Sequence, residues 1–435
     1  MRTIITTLII TVLLLSIPSG LVKAGAFPGY TSGFQVQNLS SKTATITITY
    51  YNPDGTTATT ATDTIPANGS KTYFPIHAAS GFNGSVVISS DQQIASVVNV
   101  LTSSGAKAGA SYVAASQGGT TVSLPLLMKN NSGYNTWFHL QNTGTSDANV
   151  TINYSDGTSA TATIKPGAAK LFDQSTETHS AAVFSANITS NQPVAAAVME
   201  ENPQVMFAYT GFLTGSTNPV MPLINANNSG YVTGVQIQNV GTQATEVTLS
   251  YTPSTAGTAC TETQTIPAGQ SRTFALAAFA NGSNSNCVPG ARFIGSASVT
   301  ANSTNQPLVA IVNQLLPGVN GEAYGSFNPA NATNKVVLPL IMDRNSGWFT
   351  GFNVMNVGSS PTTVTCTFTG TSYTVSGTLN PGQALTDIQN NKISSGYVGS
   401  GTCTASNPTD KIVAVVNELN PGVGDNLLVY EGINQ

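Results

Sequence analysis

The chain has 435 residues, which is too long for a single core and fits three or four domains of ordinary size. Charged residues make up 7% of the sequence, against about 25% in an average soluble protein, and the formal net charge is −4. A surface of this kind excludes nucleic acid and acidic lipid as partners recognised by charge.

The N-terminus predicts a signal peptide over residues 1–24. Arg2 supplies a short positive region, an apolar stretch follows from about Ile4 to Ile17, and Val22-Lys23-Ala24 fits the small-x-small rule for cleavage. We therefore expect export, with a mature chain that begins near Gly25 and does not insert into a membrane. The rival interpretation, an uncleaved anchor, is weaker because the apolar stretch is shorter than a membrane span.

After this segment the sequence repeats itself four times. The four copies of one motif read FQVQNLSSKTATITITY (34–50), FHLQNTGTSDANVTINY (138–154), VQIQNVGTQATEVTLSY (235–251) and FNVMNVGSSPTTVTCTF (352–368). Repetition at a fixed spacing is typical of tandem structural modules. We predict four domains, which cover residues 25–118, 119–216, 217–332 and 333–435.

Each copy predicts short strands with alternating faces. Ala44, Ile46, Ile48 and Tyr50 alternate with threonines, a period of two that indicates one packed and one exposed face. Turn pairs such as Asp54-Gly55 separate the strands, and no helical period occurs. About seven short strands in each repeat predict an all-β chain of four tandem immunoglobulin-like β-sandwiches.

A further strand recurs only three times for four cores: if it opens each domain, the first domain lacks it, and if it closes each domain, the fourth does. It reads VSLPLLMKNNSGY (122–134), VMPLINANNSGY (220–231) and VVLPLIMDRNSGW (336–348), and the first core has only GAFPGY before it. Two explanations stay open: one terminal repeat is trimmed and capped, or a strand from another chain completes it. For self-assembly the donor would be residues 427–435 or residues 25–30.

Four cysteines lie in the last two repeats, and in an exported protein they predict two local disulfides. Cys366 and Cys403 replace inward-facing core residues, so we expect their bond to cross the sandwich. Cys260 lies on a strand, and Cys287 lies in an insertion, AAFANGSNSNCVPG, that the other copies lack. A bond between Cys260 and Cys287 would pin that loop.

An aromatic residue follows a glycine at the same position of each repeat. These residues are Tyr30, Tyr134, Tyr231 and Trp348. Aromatic rings beside a glycine turn pack against a neighbouring domain or cap a sandwich, and they also stack on sugars. Both interpretations stay open, and the first is the commoner one.

No catalytic constellation is apparent, so we predict a protein that is not an enzyme and has no cofactor. His77, His139 and His179 have no second ligand at metal spacing and are expected on the surface. The pair Glu200-Glu201 and Asp410 are the densest acidic positions, but no alternating acidic loop typical of calcium accompanies them. We predict no metal site.

The run LPLLMKNNSGYNTWFHLQNTGTSDANVTINYSDG, with the later IKPG and ITSNQPVAAAV, resembles the tandem β-sandwich modules of bacterial cell-surface proteins of Chloroflexota. More loosely, the pattern N-x-G-x-x-x-A-x-V-T with a later P-G turn is similar to CARDB-type adhesion modules. The resemblance covers residues 25–435. It implies an extracellular, non-enzymatic role in adhesion, sheath or filament, and it implies no ligand residues.

The sequence therefore predicts a secreted structural protein of a cell surface or filament, which self-assembles by strand complementation or binds another cell-surface protein. The alternative is an adhesin or carbohydrate-binding module that binds glycans through the glycine-aromatic loops. Short linkers between the repeats predict a stiff rod.

Overall fold

The structure is a computed structural model that describes residues 9–15, 25–104 and 107–435. In these residues the chain is built from strands, and its one helical turn is the 3-10 helix Pro329–Asn331. The predicted all-β fold of tandem immunoglobulin-like sandwiches is confirmed. Arg2 and the predicted cleavage site lie outside the described residues. Within them, no helix is long and apolar enough to span a bilayer.

The first two repeats each contain two layers of antiparallel strands. Repeat 1 comprises β1 Ile9–Leu15, β2 Gly29–Asn38, β3 Ala44–Tyr51, β4 Thr57–Ile65, β5 Ser70–Tyr73, β6 Gly84–Ser90, β7 Ile94–Ser104 and β8 Gly109–Val113. Its sheets run β1-β6-β3-β4 and β5-β2-β7-β8. Repeat 2 comprises β9 Gly119–Met128, β10 Asn135–Asn142, β11 Ala148–Tyr154, β12 Ser159–Ile164, β13 Ala169–Asp173, β14 Val183–Glu201 and β15 Met206–Thr210. Strand β14 is long enough to pair in both layers, with β9 and β11 first and then with β10 and β15.

The last two repeats follow the same plan. Repeat 3 comprises β16 Val220–Ala226, β17 Val232–Asn239, β18 Thr245–Ala256, β19 Cys260–Ile266, β20 Ser271–Phe274, β21 Asn284–Ser285, β22 Phe293–Asn302, β23 Leu308–Leu316 and β24 Asn320–Gly325. Repeat 4 comprises β25 Lys335–Asp343, β26 Phe349–Asn356, β27 Thr362–Phe368, β28 Thr374–Leu379, β29 Ala384–Ile388, β30 Tyr397–Ala405, β31 Ile412–Leu419, β32 Leu427–Glu431 and β33 Ile433–Asn434. The sheets run β16-β22-β18-β19-β21 and β20-β17-β23-β24 in repeat 3, and β28-β27-β30-β25-β33 and β29-β26-β31-β32 in repeat 4.

The asparagine that ends each copy of the motif ties the two layers together. Asn38, Asn142, Asn239 and Asn356 are fully buried. In each, Nδ2 donates to a backbone carbonyl at the end of the strand before the Pro turn, for example from Asn38 to Ile65 at 3.0 Å and from Asn142 to Ile164 at 2.8 Å. A buried amide needs such partners, so the repeated asparagine has a structural cause.

The predicted alternation holds in one layer and fails in the other. In β3, Ala44, Ile46, Ile48 and Tyr50 are fully buried while the threonines between them are more exposed. In β2, however, Gln35 and Gln37 are each only 3% exposed, although they alternate with Phe34 and Val36. The outer face of this layer is covered by another repeat: Gln35 Nε2 donates to the carbonyl of Pro339 at 2.7 Å.

The four repeats close into a ring, so the predicted rod is wrong. One strand near the end of each repeat, here called the closing strand (β8, β15, β24 and β32), packs against those of two other repeats: β8 on β15, β15 on β24, β24 on β32, and β32 on β8. The core residues repeat the same cycle. Ala197 packs in the core of repeat 1, Ile311 in that of repeat 2, Val415 in that of repeat 3 and Val97 in that of repeat 4.

These four core residues occupy one position of the repeat. Each precedes a valine that points into its own core, as Val97 precedes Val98 and Val415 precedes Val416. Adjacent residues of a strand point to opposite faces, so one face of this strand fills its own sandwich and the other seals the neighbouring one. Short linkers alone do not predict the ring, because the contact that closes it joins repeats 1 and 4, which are farthest apart in sequence.

Both predicted disulfides are present. Cys260 is bonded to Cys287, which pins the insertion as expected. Cys366 is bonded to Cys403, but the bond does not cross between the layers: the two residues are direct partners on adjacent strands β27 and β30 of one sheet. Both side chains are fully buried, so the expectation of inward-facing core positions holds although the expected span is wrong.

Candidate functional site

The first candidate site is the position of the opening strand, the strand that precedes each core. In repeats 2, 3 and 4 the opening strands β9, β16 and β25 pair antiparallel with β14, β22 and β30. Each ladder shifts register beside the proline of the recurring L/M-P-L sequence: Pro125, Pro222 and Pro339. Proline cannot donate to a ladder, and a bulge accommodates it.

A tyrosine of the closing strand holds each of these bulges. The Tyr209 hydroxyl donates to the carbonyl of Leu126 at 2.6 Å, and the Tyr430 hydroxyl donates to that of Leu340 at 2.5 Å. Tyr324 makes the same contact with Leu223. The residue after the proline is thus tied to the closing strand, which gives the tyrosine of these three closing strands a structural role.

In repeat 1 the opening position is filled from the N-terminal apolar segment. Strand β1 pairs antiparallel with β6 from Ile9 opposite Ser90 to Leu15 opposite Gly84. This ladder has no register shift, and β1 contains no proline. The segment therefore takes the place of an opening strand without the local features that the other three share.

The two segments suggested as strand donors both lie inside the ring. Residues 427–431 form the closing strand β32, and Ile433–Asn434 pair with β25. Residues 25–30 lead into β2, and Phe27 is 1% exposed. Neither segment is free to complete a sandwich in another copy, so the prediction that residues 427–435 or residues 25–30 donate a strand is wrong.

The four glycine-aromatic positions lie beside contacts between repeats but differ in exposure. Tyr30 is buried and meets Trp137 of repeat 2 edge to face, with ring centroids 5.7 Å apart. Tyr134 is half-buried against Phe207, and Tyr231 accepts a hydrogen bond from Asn320 at 2.9 Å. Trp348 is half-buried and lines a cleft of about 450 Å³ between repeats 4 and 1.

This cleft, here called the 4–1 cleft, is the second candidate site. Its walls are mainly apolar and come from both repeats: Gly33, Phe34, Phe74 and Leu101 of repeat 1, and Leu340, Met342, Trp348 and Leu428 of repeat 4. Its polar lining includes Gln35, Asn99 and Glu418. Its size falls within the range of small-molecule sites.

Glu418 and Asn99 form a buried pair across the junction. Asn99 Nδ2 donates to Glu418 Oε2 at 2.8 Å, and Glu418 is 1% exposed. Burial raises the pKa of Glu418 to about 7. Glu418 Oε1 and Asn99 Oδ1 have no hydrogen-bond partner among the described residues. The same pair recurs between Asn313 and Glu200, where burial raises the pKa of Glu200 to about 8.

Asp425 joins all four repeats near the closing strands. It accepts the Met206 amide of repeat 2 at 2.8 Å and the Gly321 amide of repeat 3 at 2.9 Å, and its own amide donates to the Lys107 carbonyl of repeat 1 at 2.8 Å. Asp425 is 1% exposed, and burial raises its pKa to about 8. A buried carboxyl without a cation nearby favours its neutral form.

Glu201 and two of the histidines singled out from the sequence lie in buried structural contacts. Glu201 accepts hydrogen bonds from the Tyr30 hydroxyl and from Trp137 Nε1, the latter at 3.0 Å. His139 is 8% exposed, and burial lowers its pKa to about 4, so its expected surface position is wrong. His179 is enclosed beside Asp156, 3.1 Å away, and only His77 is exposed. Among the described residues, no three His, Cys, Asp or Glu side chains are grouped to hold a metal ion.

Sequence reasoning missed Gly33, Asn99, Glu418 and Asp425, although the repeats held one signal. The residue before the first aromatic of the motif is Gly33 in repeat 1 and Trp137 in repeat 2. Repeats 3 and 4 also have glycine at this position, Gly234 and Gly351. The tryptophan of repeat 2 is therefore the exception, and it indicates a junction that is packed differently.

The sequence was compared with protein-family models and with curated proteins. No protein-family model matches the chain, and no curated protein matches it.

Proposed function

We propose that the protein is an exported, non-enzymatic structural component of a cell surface or extracellular assembly, and that a strand from another polypeptide completes the first sandwich of its mature ring. The observation that carries the proposal is the ladder between Ile9–Leu15 and β6, at the place of the other opening strands. These residues belong to the segment that the sequence predicts to be removed on export.

Removal of β1 would turn β6 into an edge strand. Val86 and Ile88 of β6 are fully buried with β1 in place, and they belong to the core of repeat 1. An edge with free amides and carbonyls over an apolar core is a template for strand addition. The two disulfides and the low charge agree with an exported protein, because disulfides persist in oxidising compartments.

The donor is a segment of a different polypeptide. From Gly29 to Asn434, every strand that the structure describes is paired within its own ring, so a second copy has none to give without opening. The three proline-bearing opening strands define the expected chemistry: an extended apolar segment with the sequence L/M-P-L followed by an aliphatic residue.

A peptide that copies an opening strand tests the proposal. The chain starting at Gly25 is mixed with the peptide TVSLPLLMKN, which is the sequence of residues 121–130, and hydrogen exchange of the amides in β6 is measured. We expect fast exchange in Gly84–Ser90 without peptide and protection with it, together with a rise in Tm that grows with peptide concentration. The control peptide carries proline at the positions of Val122 and Ser123, which prevents the ladder.

Slow exchange of β6 in the chain that starts at Gly25, with no effect of the peptide, would mean that repeat 1 caps itself. N-terminal sequencing of the secreted protein gives the second check. If residues 9–15 are retained after secretion, then β1 is a permanent strand and no donor is required. Either result would overturn strand donation.

A further inference from the structure

We propose that the 4–1 cleft binds a small planar aromatic molecule that carries an N–H or O–H donor. The proposal does not depend on strand donation, because β1 and β6 are absent from the cleft lining. It assigns a ligand class to one glycine-aromatic position, Trp348, and that class differs from the sugar that the sequence offered as the less common alternative.

The junction between repeats 1 and 2 shows what the cleft lacks. In that junction Trp137 of repeat 2 inserts against Tyr30 of repeat 1, and it is 4% exposed. Trp137 packs in the core cluster of repeat 1. In the junction of repeats 4 and 1, the corresponding pair is Gly33 and Trp348, and both line the cleft. The chain thus fills one junction with its own indole and leaves the equivalent space open in the other.

The donor requirement comes from the same comparison. The indole N–H of Trp137 donates to the buried carboxyl of Glu201 at 3.0 Å. The open cleft has its own buried carboxyl in its lining, Glu418, which accepts a hydrogen bond from Asn99. Glu418 and Asn99 each keep one buried oxygen that has no partner among the described residues. An unpaired buried acceptor is costly, and a ligand donor that reaches it removes that cost.

The walls favour an aromatic ring over a sugar. Trp348 and Phe74 supply aromatic surface, and aliphatic side chains such as Leu101 and Val398 line other parts of the cleft. Phe74 is 61% exposed, so its ring is accessible to a ligand on this wall. A sugar needs directed polar groups around most of its hydroxyls, whereas nine of the fourteen lining residues are apolar or glycine.

The test uses 5-fluoroindole as the probe and the full chain as the protein, with binding followed by ¹⁹F NMR. We expect saturable binding, at least tenfold weaker binding in Trp348→Ala, and loss of binding in Gly33→Trp, which supplies the missing plug. Tyr231→Ala, which changes the corresponding aromatic of repeat 3, should leave the affinity unchanged. Fluorinated 1-methylindole, which has no N–H donor, should bind at least several-fold more weakly to the unchanged chain.

Folding of Gly33→Trp must be checked, because a Cβ at Gly33 would lie 3.0 Å from Phe74 Cδ2 and the ring must move aside. If its Tm falls, Trp348→Ala decides the question, since that side chain is only half-buried. Absence of saturable binding to the unchanged chain, or equal binding by the Trp348→Ala variant, would overturn the site. Tighter binding of a fluorinated glucose than of fluoroindole would overturn the ligand class.

Discussion

The junction between repeats 1 and 2 and the junction between repeats 4 and 1 share one plan and differ in filling. In the first, Trp137, Tyr30 and Glu201 form a closed, hydrogen-bonded group. In the second, Gly33 leaves the cleft open, and the carboxyl of Glu418 pairs with Asn99 instead. The comparison shows that two junctions of similar repeats can both belong to a closed ring although one is sealed and the other holds a cavity.

The largest effect is expected from Trp137→Gly, which copies the open junction into the sealed one. The substitution removes a buried indole and one hydrogen bond to Glu201, so the free energy of unfolding should fall by about 3–5 kcal/mol. Urea unfolding measures the change. Addition of indole should restore part of the lost stability, because the new cavity matches that ring; no recovery at saturating indole would argue against the equivalence of the two junctions.

A smaller loss of stability is expected from Asp425→Ala, which removes hydrogen bonds that hold the repeats of the ring together. Asp425 accepts amides of Met206 and Gly321, and its removal leaves both buried and unpaired. We expect a loss of about 2–4 kcal/mol in the free energy of unfolding. Asp425→Asn, which keeps one acceptor and resembles the neutral acid, should cost less. Equal losses in the two variants would show that the carboxyl oxygens are not the reason for the effect.

The sequence predicted the strands, the sandwich class and the disulfide partners, since these depend on short periodic patterns. Thr45 and Ile46, for example, differ in exposure as a period of two requires. It did not predict the ring, because Ala197, Ile311, Val415 and Val97 look like ordinary core residues until their neighbours are known. Nor did it predict the 4–1 cleft. The sequence marked Trp348 by its repeat position, but Gly33, which lines the cleft with it, is distant in sequence.

The pH dependence of the free energy of unfolding should distinguish the Glu418–Asn99 pair from the Glu200–Asn313 pair. Burial raises the pKa of Glu418 to about 7, above its ordinary value of 4.5. The folded protein therefore binds more protons than the unfolded chain between these values, and the free energy of unfolding falls as the pH rises through that window. The fall is at most about 1.4 kcal/mol per pH unit for each such group.

Glu418→Gln should reduce this slope, because glutamine stays neutral at every pH and can still pair with Asn99. Unfolding free energies between pH 4 and pH 8 provide the measurement, and Glu200→Gln, at the matching pair with Asn313, should act on the slope up to about pH 8. An unchanged slope in both variants would assign the pH dependence to other buried acids, first among them Asp425 and Glu322, whose pKa values burial also raises to about 8.

The smallest effect concerns the sealed junction and the predicted processing at Gly25. The amide of Ala26 donates to Glu201 Oε1, and Gly25 has a φ of 96° in a place where a Cβ would collide with the Tyr30 hydroxyl. Cleavage after residue 24 would thus create a charged α-amino group close to a buried carboxyl whose pKa burial raises to about 7. A neighbouring cation lowers that pKa and stabilises the ionised form.

We expect the chain with a free amine at Gly25 to exceed its N-acetylated form by up to about 1 kcal/mol in the free energy of unfolding at pH 7, where the amine is charged. The difference should vanish in Glu201→Gln, which completes a double-mutant cycle around this one contact. A difference that persists without the carboxyl would mean that the amine acts elsewhere. A difference that depends on Glu201 would link the sealed junction to processing, because only cleavage at this residue supplies the charge.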